Sequence, residues 1–134
     1  MTPEFLAAFI DTLLPGDDAL PSGTRAGLDP AAYVASHRAV LDACAAQAGG
    51  TEIFVADERA RATILQTVER AAPDAFRLLL TAVLSDYYEA PAVLAALGWR
   101  SEPPQPTGHM VPRLDDPTAG RLERVRQRGK LWRD

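Results

Sequence analysis

From Phe5 to Leu97 apolar side chains recur at spacings of three and four, and prolines punctuate the runs at Pro3, Pro30, Pro73 and Pro91. The period puts the apolar residues of each run on one helical face. Proline has a fixed φ and no N–H, so it suits the first turn of a helix and bars the interior. The two signals together predict a series of amphipathic helices and leave little room for a sheet.

Thr2-Pro3 opens a first helix whose face is Phe5, Leu6, Phe9, Ile10, Leu13 and Leu14, ended by Pro15-Gly16-Asp17-Asp18. A loop through Leu20-Pro21-Ser22-Gly23 follows. Asp29-Pro30 starts a second helix running to Gly49-Gly50 and burying Tyr33, Val34, Val40, Leu41 and Cys44. Thr51 to Val55 is read as a connector whose Ile53 and Phe54 plug the core. Asp57 caps a third helix with Ile64, Leu65 and Val68, stopped before Pro73 because a residue preceding proline avoids the α region. Asp74 is expected to cap a fourth, where Phe76, Leu79, Leu80, Val83, Leu84, Tyr87 and Tyr88 follow the period. Pro91 begins a short helix ending at Gly98.

The fold class expected is all-α: a compact array of four to six helices over residues 1–100, with Phe9, Leu13, Leu41, Leu65, Leu80 and Leu84 in the core. Residues 101–134 form a second region. Pro103, Pro104, Pro106, Gly108 and Pro112 forbid a long helix and predict an extended arm. Asp115-Asp116-Pro117 then begins a short terminal helix, with Leu122 and Val125 on its apolar side and Gly129 closing it, before Lys130, Leu131 and Trp132.

At 134 residues the chain is long enough to bury a core without disulfides or a metal. The net charge of -4 conceals an asymmetry. Between residues 121 and 133, Arg121, Arg124, Arg126, Arg128, Lys130 and Arg133 face only Glu123, so the tail is basic and the body acidic. The lone Cys44 excludes an internal disulfide. No apolar run approaches the ~20 residues that cross a bilayer, so no membrane insertion is expected. The N-terminus lacks a basic export region and a twin-arginine pair, which reads as cytoplasmic for the chain as written, and as periplasmic where a signal was removed or a partner carries one.

Catalytic patterns are missing. His37 and His109 are the only histidines, and zinc needs three or four ligands at recognisable spacing. Asp17-Asp18 and Asp115-Asp116 sit where turn and cap residues belong. No nucleophile elbow, phosphate loop or dinucleotide fingerprint occurs. The chain is therefore expected to hold no catalytic, cofactor or metal site of its own.

Binding features are easier to find. Tyr87, Tyr88 and Trp99 form the densest aromatic group, and aromatic side chains carry a large share of interface energy. The Pro103, Pro104 and Pro106 arm loses little entropy on docking, and Leu131 and Trp132 lie far from the core-forming helices. These eight residues are the expected partner-binding set. The basic tail permits a second reading, an interaction module touching nucleic acid or an acidic protein. Cations near a helix C-terminus are favoured by its dipole in any case, so nucleic acid is the less favoured partner.

Three stretches resemble a known family. Phe5-Leu6-Ala7-Ala8-Phe9-Ile10-Asp11-Thr12-Leu13-Leu14-Pro15-Gly16-Asp17-Asp18, together with Tyr87-Tyr88-Glu89-Ala90-Pro91 and Leu97-Gly98-Trp99, is similar to gluconate 2-dehydrogenase subunit 3. That family comprises small subunits of flavin-dependent sugar dehydrogenases. The resemblance implies a non-catalytic subunit that binds and stabilises a large FAD-containing oxidoreductase of the glucose–methanol–choline type. The partner would oxidise sugars, sugar acids or glycosides, and a cytochrome c is an expected electron acceptor. The family's common twin-arginine signal is missing here.

Overall fold

The computed structural model describes residues 1–100 and 115–128, of which 75% are helical, with no strand among them. The all-α expectation holds. The chain divides into two units, Met1–Ser101 and Glu102–Asp134. The expected extended arm, the closing Gly129 and the residues after it lie outside the described residues.

Helix α1 spans Pro3–Leu13, its first turn capped by the Thr2 hydroxyl, which accepts the Phe5 N–H at 3.2 Å. It buries Phe5, Leu6, Phe9 and Ile10, whereas Leu13 and Leu14 are half-buried. The chain then folds back on α1. Asp11 accepts both the backbone N–H and the hydroxyl of Thr24, at 2.8 and 2.7 Å. Gly16 turns the chain with φ +71°, where a Cβ would lie 2.4 Å from the Ser22 nitrogen. Only glycine fits that crossing.

Asp29 caps at Ala31, as expected, but what it caps is a 3-10 turn, Pro30–Tyr33. Helix α2 follows at Val34–Ala48 with non-helical torsions at His37. The single expected helix is thus two pieces, and Gly49 closes the second with φ +82°.

The connector expected at Thr51 to Val55 is a helix, α3, Thr51–Ala56. Phe54 is fully buried, its ring 4.9 Å from that of Phe5, but Ile53 is 54% exposed rather than in the core. Successive helical residues point about 100° apart, and α3 packs against the core on the side that carries Phe54, which leaves Ile53 toward solvent. The β-branched run misled because packing of Phe54 outweighed local propensity. Arg61 donates to the carbonyls of Phe54 and Val55 and so satisfies the open C-terminal end of α3.

Helix α4, Glu58–Ala71, is capped by Asp57 as expected and buries Leu65 and Val68, with Ile64 half-buried. Helix α5, Pro73–Glu89, starts one residue before the expected cap. Pro73 takes the first position, and Asp74 pairs with Arg77 at 2.9 Å instead of capping. Its inward face is Phe76, Leu79, Val83 and Tyr87. Leu80 and Leu84, expected in the core, flank that face and are half-buried.

Helix α6, Pro91–Ala96, meets α5 at Ala90, whose φ and ψ of -64° and 130° break the helical run. Gly98, at φ +67°, ends it. The N–H groups of Gly98 and Trp99 donate to the carbonyls of Ala95 and Leu94 at 3.0 and 2.8 Å, a Schellman closure. The first unit has two apolar clusters. The larger joins α1, the 3-10 turn and α2–α5, and the smaller gathers Ala26, Tyr87, Ala90 and Val93, edged by Leu14, Leu20 and Leu28.

In the second unit α7 spans Asp116–Gln127 and is capped by Asp115, which accepts the Thr118 N–H at 3.1 Å.

Candidate partner-binding surface

The last turn of α5 separates two adjacent tyrosines. Tyr87 is 4% exposed and Tyr88 52%, because one helical step turns the side chain from the core to solvent. The Tyr87 hydroxyl donates to the Pro21 carbonyl at 2.6 Å, tying α5 to the loop after α1. Burial raises its phenol pKa above the ordinary value. The Tyr88 ring stands edge-on to it at 5.5 Å. Of the two, Tyr87 is a wall of the smaller cluster and Tyr88 is the side chain on offer at the surface.

Tyr88 lines a shallow depression of about 430 Å³ with Thr81, Leu84, Ser85 and Glu89. Leu78 lies further up the outward side of α5 and is 65% exposed. Just past the end of α6 the exposed apolar residues are Leu97 and Trp99, the latter 69% exposed although its backbone is fixed by the bond to Leu94. An indole held out by an ordered backbone has surrendered part of its entropy before any partner arrives. The other expected binding residues, Pro103, Pro104, Pro106, Leu131 and Trp132, lie outside the described residues, as does His109.

Sequence reading missed Leu78 and Leu97 as surface residues. The signal for Leu78 was present: Leu78-Leu79-Leu80 spans over half a helical turn, so all three cannot face inward.

Elsewhere in the first unit the polar groups serve structure. A cleft of about 320 Å³ is lined by Leu28, Asp29, Tyr33, Asp86, Glu89 and Pro91, among others. Within it the Tyr33 hydroxyl donates to Asp86 at 2.6 Å. Burial, then the Asp86 carboxylate, raises the Tyr33 phenol pKa, so this hydroxyl is a donor and not a base. A second groove, about 470 Å³, runs past Met1, Pro3, Leu6, Pro30 and Val34 to Arg38. Burial pushes the Cys44 thiol up to about 12, which leaves it an inert core side chain. No group of three His, Cys, Asp or Glu side chains placed to hold a metal occurs among the described residues.

Arg121 and Arg124 on α7 and Arg128 at its C-cap are exposed and spaced for one helical face, while Arg126 approaches Glu123 at 3.8 Å. Leu122 and Val125 are 44% and 48% exposed. No described helix is long and apolar enough to cross a membrane.

Comparison with protein families, with curated proteins and with solved structures finds no match to this chain.

Proposed function

We propose that this chain is a non-catalytic small subunit that binds and stabilises an FAD-dependent oxidoreductase acting on a sugar, sugar acid or glycoside. The flavin belongs to the large subunit, and a cytochrome c is a suitable electron acceptor for the complex. The reading starts from the resemblance, and one observation supports it. Stretches that carry the resemblance meet in space: Leu14 of the first edges the cluster that contains Tyr87 and Ala90 of the second, and Tyr87 also donates to Pro21, three residues beyond the end of the first. The helix-to-loop signature and the Tyr-Tyr-Glu-Ala-Pro signature therefore share one task. They hold the α5–α6 corner that carries Tyr88 and Trp99.

The test is to ask whether a neighbouring reading frame encodes a flavin oxidoreductase and to co-express that protein with this chain. A Tyr88→Ala, Trp99→Ala variant is expected to fold, since both side chains are exposed, and to lose affinity for the large subunit. Truncating a buried interface aromatic costs about 2 kcal/mol or more, roughly thirtyfold in affinity. Equal recovery of flavin-loaded complex with the variant and the parent chain removes this corner from the interface. The exposed arginine face of α7 favours a second reading, docking to nucleic acid or an acidic protein. It requires affinity that falls steeply with salt.

A further inference from the structure

We propose that α6 is a lid, hinged at Ala90-Pro91, that lifts from the smaller apolar cluster while the rest of the first unit stays folded. Three observations carry this. First, the hold on α6 is slight. Val93, 0% exposed, is the only fully buried residue within the helix, and Leu94 is half-buried. A six-residue helix has too few internal bonds to be stable alone, so its order depends on that packing.

Second, the hinge is already formed. Ala90 adopts an extended conformation between two helices, and Pro91, with no N–H, interrupts the hydrogen-bond ladder there. The α6 helix can therefore swing without breaking the bonds within α5.

Third, the seat beneath the lid is fastened independently. Asp11 holds Thr24 to α1, the Gly23 N–H donates to the Leu14 carbonyl at 2.9 Å, and Tyr87 holds Pro21 to α5. None of these bonds involves α6, so the loop remains when the lid lifts. Opening exposes Val93 and uncovers Ala26, Ala90 and the Tyr87 ring, a small apolar area compared with the larger cluster. Opening free energy scales with the surface exposed, so this segment opens more often than the main core.

Lifting α6 moves Leu97 and Trp99 and brings the Tyr87 ring to the surface beside Tyr88. On the accessory-subunit reading, the lid changes how much aromatic surface the corner presents. The lid itself does not depend on that reading.

Native-state hydrogen exchange on the full chain tests it without any partner. Once lifted, α6 is too short to stay helical, so the amides of Leu97 and Trp99, which donate to Val93 and Leu94 within it, are expected to exchange by a common opening that is more frequent than that of Phe9, Leu41 and Leu79. This opening responds weakly to low urea, because little surface is exposed. Val93→Ala is expected to raise the exchange of Leu97 and Trp99 about tenfold or more and leave the three core amides unchanged. Exchange of Leu97 and Trp99 at the rate of the core amides, or an equal acceleration of all five in the variant, overturns the proposal.

Discussion

Leu78 and Leu79 are neighbours with opposite environments, 65% and 0% exposed. Their truncations should differ accordingly. Leu79→Ala removes a packed side chain and is expected to lower unfolding free energy by about 2–5 kcal/mol, while Leu78→Ala should stay within about 0.5 kcal/mol. Urea titrations of the two variants measure the difference, and equal losses would mean that α5 is rotated from the orientation described. Cys44 offers a chemical counterpart. Its pKa is raised from 9.0 to about 12 because burial penalises the thiolate, so folding favours the protonated form. That contribution is fully present below pH 9, the unfolded value, and declines as pH rises toward 12. A thiol reagent at pH 8 is expected to label Cys44 only as fast as the protein opens. Rapid stoichiometric labelling of the folded chain contradicts this burial.

At the level of elements, caps and turns were the most legible features. Thr2, Asp29, Asp57 and Asp115 each accept an N–H two or three residues ahead, a local interaction written in adjacent positions. Asp57→Ala should therefore cost about 1 kcal/mol in thermal or urea unfolding. Asp17 gives a pH readout. The N–H groups of Leu20 and then Ala19 hold its carboxyl below the ordinary 3.8. The turn is stabilised above pH 3.8 and loses that support as pH falls through the depressed value. An NMR titration of Asp17 with an ordinary carboxylate midpoint would show that the turn does not form. Helix α3 was the misread element. Thr51 to Val55 has strand-like composition, but it forms a helix that packs Phe54 against Phe5, a contact with a residue far away in sequence.

At the level of the molecule, every buried apolar residue described lies between Phe5 and Val93. A chain ending at Arg100 is therefore expected to give a helical circular dichroism spectrum and a single cooperative melt, and a gradual, non-cooperative loss of signal would refute it. The all-α class, the starts of α1, α5 and α6 at proline and the caps at Thr2, Asp29, Asp57 and Asp115 follow from hydrophobic period and backbone chemistry within a few neighbouring residues, so sequence alone determines them, whereas Asp74 pairs with Arg77 instead of capping. The orientation of α5 does not. Phe76, Leu79, Leu80, Val83, Leu84, Tyr87 and Tyr88 all fit a helical stripe, yet packing against the other helices selects Phe76, Leu79, Val83 and Tyr87 for the interior. The candidate surface was partly readable for the same reason. Tyr88 and Trp99 stand out as aromatics in the sequence, but only the bond from Tyr87 to Pro21 and the burial of Val93 decide that Tyr87 faces inward while Tyr88 and Trp99 remain outside. A local period defines a face, and only the tertiary contacts decide which part of that face meets another element and which meets water.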